Sequence, residues 1–199
     1  KNAIIPSAQN HECPKGRLIN QKERIMCQLL GMNCHLPTDI SFSFAGFSKR
    51  GGLTDHHSDG FGIGFFEGRG LRLFLDDKPC ADSPVAQLVR HYDIKSRNVI
   101  AHIRKATQGR TTLENTHPFQ RELWGGYWLF AHNGNLSAEF LPQTTYYQAV
   151  GCTDSERAFC YLLDQLRSRF SRKPGNDELF DALAELCAQV REYGMFKMI

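Results

Sequence analysis

No C-x-x-C pair occurs in the chain, and its seven cysteines (13, 27, 34, 80, 152, 160 and 187) form an odd, widely spaced set. Disulfide frameworks and zinc ribbons need paired, closely spaced thiols, so neither is expected; most of the seven are expected to be reduced and buried. No apolar run approaches the roughly 20 residues of a membrane span, and the N-terminus lacks the apolar core of a secretory signal. The chain is therefore read as cytoplasmic, with no membrane partner. Charge of one sign is not in excess either: 24 basic and 21 acidic residues leave a formal net charge of +3, scattered along the chain. Without a basic stripe, nucleic acid is not an expected partner and a small molecule is. Repeats and low-complexity tracts are also missing, which excludes a solenoid.

What is present suits one globular domain: 199 residues, 41% hydrophobic and 23% charged. Residues 1–26 show neither a helical nor a strand period. They are read as an N-terminal extension: a leader, a tag or read-through from upstream. The folded domain is taken as 27–199.

It opens on "CQLLGMNC", which suits a strand. A helix is predicted next, with Thr38 as cap and Ile40, Phe44 and Phe47 inward, broken by "RGG". "FGIGFFEG" and "LRLFL" flank Gly68-Arg69-Gly70 as a hairpin. Ser83 and Pro84 then open a helix with Val85, Leu88, Val89 and Tyr92 inward. "NVIAHIRKAT" and "YWLFAHNGNL" read as two strands. A helix follows from a Thr153–Glu156 capping box with Phe159, Leu162, Leu163, Leu166 and Phe170 on one face. Another runs from Asn176 with Leu179, Phe180, Leu183, Leu186, Cys187 and Val190 inward, stopping at Gly194. "MFKMI" reads as a strand cut off as it begins, so the domain is expected to be incomplete at its C-terminus.

Several short stretches could carry chemistry. If translation starts at Met26 and that methionine is removed, Cys27 gains a free α-amine. Such an amine titrates near pH 8 in model peptides, so one residue would hold both nucleophile and general base. The alternative is a buried strand cysteine. In "AHIRKAT", His102 and Arg104 share a strand face, and Arg104 offers a planar fork for a carboxylate or a surface salt bridge. His117 of "NTHPF" either contacts substrate or caps backbone groups. In "AHNGNL", Asn133-Gly134 signals a tight hairpin turn; equally, the Asn amide and the Gly N–H are oxyanion donors. Asp154, in a first helical turn, either caps the helix or pairs with a substrate ammonium. "DHHSDG" (55–60) gathers two histidines and two aspartates, but neighbouring side chains diverge in a strand, so no metal site is expected there.

Together and in this order, Met26-Cys27, "RGG", "HSDGFGIGF", "AHIRKAT", "NTHPF", "AHNGNL" and "TDSE" resemble the class II (N-terminal nucleophile) glutamine amidotransferases, most closely their small stand-alone YafJ-type members. The resemblance implies an α+β fold of Ntn-hydrolase type, a four-layer αββα sandwich of two antiparallel sheets. It makes Cys27 the nucleophile, with its α-amine as base, and Asn133 and Gly134 the oxyanion hole. By the same likeness Arg104, supported by Thr107, binds the glutamine α-carboxylate, Asp154 binds the α-ammonium, and Arg50 borders the pocket. His102 and His117 are further candidates without assigned roles. No cofactor or metal is implied. The expected reaction releases ammonia from the glutamine side-chain amide through a thioester, with a separate protein as one candidate acceptor. Hydrolysis of small γ-glutamyl thiol peptides, or a catalytically silent amino-acid-binding scaffold, are the alternatives.

Overall fold

The computed structural model describes residues 27–54, 59–105, 110–140 and 142–199. Strand β1 (Gln28–Asp39) leads into helix α1 (Ser41–Lys49), followed by β2 (Phe61–Glu67), β3 (Gly70–Asp76), helix α2 (Pro84–His91) and β4 (Lys95–Ile103). A 3-10 turn (Leu113–Asn115) precedes β5 (Phe119–Leu123), β6 (Gly126–Phe130) and β7 (His132–Leu136). The chain closes with helices α3 (Asp154–Arg169) and α4 (Asn176–Arg191) and strand β8 (Gly194–Met198).

Two antiparallel layers face each other. In one, the order is β1-β4-β2-β3; in the other lie the β5–β6 hairpin and the β7–β8 pair. "FGIGF" shows why the first layer packs on both sides. Phe61, Ile63 and Phe65 are fully buried in a core they share with Phe44 and Phe47 of α1 and Ala86 and Val89 of α2. The alternate residues, Gly62 and Gly64, face the other sheet. A Cβ at Gly64 would lie 2.5 Å from Leu129, and one at Gly62 would overlap the His117 carbonyl. These glycines let the two sheets approach closely. On the far side of the second sheet, α3 and α4 bury Phe159, Leu163, Leu166 and Leu186 against Phe130, Leu136 and Phe140. The Phe130 and Phe159 rings stack at 5.1 Å. The result is the four-layer αββα sandwich, α1 and α2 outside one sheet and α3 and α4 outside the other.

Several local expectations need correction. Thr38 caps nothing: it lies in β1, its hydroxyl bonds Leu36, and Asp39 instead accepts from the Ser41 N–H at 2.7 Å. Leu88 and Tyr92 face solvent, and Ala86 takes the inward place on α2, because only that side of this short helix meets the sheet. Phe180 on α4 is likewise 72% exposed. "YWLFAHNGNL" is two strands, broken at Ala131, whose N–H and carbonyl pair with Ile199. Asn133-Gly134 is not a turn but sits within β7, paired with Lys197 and Phe196 of β8. The two-residue hairpin turn lies instead at Trp124-Gly125, between Leu123 and Gly126, with φ of 55° and 74°. Trp124 holds that left-handed conformation with its indole N–H on the Phe170 carbonyl and its ring edge-on to Trp128. None of the described cysteines is disulfide-bonded, and only Cys80 and Cys160 among them are fully buried, fewer than expected.

Candidate active site

The candidate residues gather where β1 and β4 end beside β7 of the facing sheet. Cys27 immediately precedes β1. The register that pairs Gln28 with Ile103 and Leu29 with His102 brings Cys27 alongside the chain just beyond β4. There the Lys105 backbone N–H donates to the Cys27 sulfur at 3.2 Å, while the thiol reaches the Lys105 carbonyl at 3.4 Å. From the other sheet, Asn133 Nδ2 donates to the Cys27 carbonyl at 2.5 Å. The Asn133 Oδ1 is buried without a hydrogen-bond partner among the described residues.

Arg104 is buried, not a surface ion pair: it is 3% exposed, and its Nη1 donates to the Arg110 carbonyl at 2.9 Å. Its main chain is fixed as well, the N–H bonding the Gly60 carbonyl at 2.8 Å. Burial pulls its guanidinium below the ordinary value; the negative charge of Asp59 opposes this most, with smaller contributions from Cys27, Cys152 and Asp154. Burial, foremost, pushes the Cys27 thiol up; the Lys105 N–H and the Arg104 charge pull it back, and Asp154 adds to the rise. The charges of Arg104 and Asp154 thus both act on the Cys27 thiol, in opposite senses.

Asp154 stands in the first turn of α3, whose N-cap is Thr153, accepting from the Glu156 N–H at 3.2 Å. Its carboxylate reaches across to β7: Oδ2 accepts from Leu136 N–H at 2.7 Å, and Oδ1 from its neighbour Ser155 at 2.9 Å. Glu156 does not return the capping-box bond its sequence position suggests. It accepts instead from Val150 and Gly151 N–H and from Arg121, holding the loop before α3.

Gly134 is dictated by packing: a Cβ there would overlap the Met195 carbonyl of β8 and lie 2.6 Å from His132 Nε2. His102 and His117 meet as tilted rings at 4.2 Å in the interior between the sheets, and His117 also meets the Phe119 ring at 4.4 Å. The ring nitrogens of His117 have no hydrogen-bond partner among the described residues. Burial above all, then the charges of His102, His132 and Arg104, drives His117 well below the ordinary histidine value, so it is neutral near pH 7. Arg50 is brought close in a different way. It is exposed at the end of α1, and its Nη1 donates to Gln28 Oε1 at 3.0 Å, one residue along from Cys27. Thr107 and the histidines and first aspartate of "DHHSDG" lie outside the described residues. Among those described, no group of three or more His, Cys, Asp or Glu could hold a metal.

Sequence reading passed over His132 and Ser155, although both lie within quoted motifs; the bond between them joins β7 to α3. It also missed the Lys105 N–H, a backbone donor that no side-chain pattern announces.

The four-layer αββα architecture is that of the N-terminal-nucleophile hydrolases. The family profile of class-II glutamine amidotransferases matches residues 26–199. A Haemophilus influenzae protein carrying the name of a glutamine amidotransferase is 56% identical over 178 residues, which are 88% of this chain and 60% of that protein. The Escherichia coli protein YafJ, named likewise, is 51% identical over 175 residues, 87% of this chain and 69% of its own. Among solved structures, a Pseudomonas aeruginosa glutamine amidotransferase, so titled from prediction, superposes with a TM-score of 0.66 at 42% identity, covering 86% of this chain and 68% of that one. The glutamine phosphoribosylpyrophosphate amidotransferase of Bacillus subtilis shares the fold, with a TM-score of 0.58 at 20% identity over 87% of this chain and 34% of its own. The chain belongs to the class II glutamine amidotransferase family. It spans 60% of the length of its Haemophilus relative.

Proposed function

We propose that this chain carries a glutaminase site, in which Cys27 bearing a free α-amine cleaves the side-chain amide of glutamine. The observation that carries the reading is the meeting of Cys27 with Asn133 from the opposite sheet, beside a buried arginine and a carboxylate. On this reading the α-amine takes the thiol proton and the sulfur attacks the amide carbon. The developing oxyanion is received by the Gly134 N–H and by the second Nδ2 hydrogen of Asn133, the first being engaged by the Cys27 carbonyl. The C–N bond then breaks, and ammonia leaves with the proton held by the amine. Water attacks the γ-glutamyl thioester, releasing glutamate and restoring the thiol.

Arg104 and Asp154 would bind the α-carboxylate and α-ammonium. Both carry fixed backbone hydrogen bonds already, so little ordering entropy is lost on binding. The unpartnered Asn133 Oδ1 supports the reading further, since a buried acceptor fits the amine of Cys27 or an amide N–H of the substrate. Arg50 would border the pocket through Gln28, and a separate protein would take up the ammonia.

The reading is tested by ammonia and glutamate release from glutamine, using protein that begins at Cys27, its Cys27→Ala variant, and the chain retaining residues 1–26. Turnover is expected from the first alone. Release by the alanine variant at a comparable rate overturns the nucleophile, and comparable release by the extended chain overturns the free-amine base. Turnover of γ-glutamyl peptides without turnover of glutamine would move the substrate to that class.

A further inference from the structure

We propose that His132 is a positioning residue for this reaction, setting the height of the Asn133-Gly134 dipeptide by tying strand β7 to Asp154 and to β8. The inference rests on the glutaminase reading above. The ring is 2% exposed and bonds both the paired strand β8 and helix α3. Nε2 lies 3.0 Å from the Met195 carbonyl, which can only accept, so Nε2 carries the proton. In the neutral ring Nδ1 is then an acceptor, and it receives the Ser155 hydroxyl at 2.9 Å. The Ser155 N–H donates to Asp154 Oδ1, and Asp154 Oδ2 accepts from Leu136 N–H, back on β7. The contacts thus close a circuit, His132 to Ser155 to Asp154 to Leu136, with Asn133 and Gly134 on the strand it encloses.

Gly134 lies directly over this support. A Cβ at that position would meet both the imidazole and the carbonyl it bonds, so the backbone rests against them. Phe196 packs on the imidazole at 4.9 Å and Phe130 lies stacked at 6.4 Å, leaving the ring little freedom to swing. One side chain therefore links the proposed oxyanion donors to the proposed ammonium acceptor. An oxyanion exists only in the transition state, so displacing its donors lowers kcat more than it alters KM. A misplacement of about 1 Å can cost about 100-fold in rate.

The test uses protein beginning at Cys27, with His132→Phe to keep the ring packing and remove both bonds, His132→Gln to restore a donor toward Met195, and Ser155→Ala to cut the circuit elsewhere. Steady-state kinetics on glutamine are read beside calorimetric binding of glutamate, which has no oxyanion to stabilise. The expected result for His132→Phe is a fall in kcat of about 10- to 100-fold, with KM and glutamate affinity within about threefold of wild type. His132→Gln recovers part of the loss, and Ser155→Ala shows a smaller fall of the same kind. A kcat within twofold of wild type in folded His132→Phe overturns the positioning role, as does a lowered melting temperature with unchanged kinetics. If His132→Phe does not fold, Ser155→Ala is judged by the same criteria. Absence of turnover in the wild-type protein is a different result: it overturns the glutaminase reading, and the present inference with it.

Discussion

A thiol beside an arginine is expected to be acidic, yet burial dominates at Cys27 and holds its proton on to higher pH. At pH 7 the peptide-linked Cys27 is accordingly a poor nucleophile, in keeping with a mechanism that needs a base on the same residue. Alkylation by iodoacetamide, followed at the Cys27 peptide by mass spectrometry, is expected to be slower than for free cysteine at pH 7.5 and to keep climbing beyond pH 9. A plateau reached below pH 8 would show that the arginine prevails. The buried histidines act on stability in a definable direction. His117 and His132 both have depressed values, so the unfolded chain takes up protons that the folded one refuses once the pH falls below about 6.5. Stability is therefore full above that pH and declines below it, by about 1.4 kcal/mol per pH unit for each histidine that titrates only in the unfolded chain. Thermal melts between pH 7.5 and 5 are expected to show this decline, and His117→Phe to make it shallower.

At the scale of elements, α3 does more than bury an apolar stripe. Its Asp164 carboxylate is 4% exposed and accepts from the backbone N–H groups of Thr145, Tyr146 and Tyr147. Glu156 does the same for Val150 and Gly151, neutralised by Arg121. Two carboxylates two turns apart thus fasten the loop that delivers Asp154. Asp164→Ala leaves three donors unsatisfied and is expected to destabilise by about 2–5 kcal/mol in urea melts. Arg121→Ala leaves Glu156 buried without its counter-charge and is expected to cost about 3–5 kcal/mol. A loss under 1 kcal/mol in either would mean that the loop finds other partners. None of this was legible from the helix sequence alone. Thr153 and Glu156 do form a capping-box pattern, and Thr153 does cap, but the glutamate is drawn to a loop that local spacing does not reveal. Likewise the inward faces of α2 and α4 were overdrawn at Leu88, Tyr92 and Phe180. Each helix packs along one side only, so it buries a narrower arc than its apolar positions offer.

Across the whole molecule, the spacing between the sheets is set by small residues. Gly64 faces Leu129 across the interface, and Gly62 faces the His117 carbonyl beside His102. Gly64→Val is expected to push the layers apart and destabilise by about 1–3 kcal/mol, with the proposed glutaminase turnover lost in step, because the candidate site draws Cys27 from one sheet and Asn133 from the other. A melting temperature unchanged by Gly64→Val would show that Leu129 can move aside. Among the described residues no helix is long and apolar enough to cross a membrane.

By itself the sequence determined the class of architecture, the family, and most of the strands and helices, since these depend on local alternation, caps and the order of short motifs. Among the residues it singled out, Cys27 and Asn133 touch across the two sheets, and the charges of Arg104 and Asp154 reach the thiol. Tertiary structure alone decided what those residues do to one another. Asn133-Gly134 carries the strongest turn signal in the chain, yet β8 pairs with it and makes it a strand, because ladder bonds and the Met195 carbonyl against Gly134 outweigh a local preference. The real turn fell to Trp124-Gly125, where glycine suits the second position but tryptophan does not suit the first; Phe170 and Trp128 hold the tryptophan there. Burial of Arg104, the proton kept on Cys27 and the circuit through His132 all depend on which strand lies beside which. That follows from contacts between residues as far apart as 27 and 133, and no local pattern contains it.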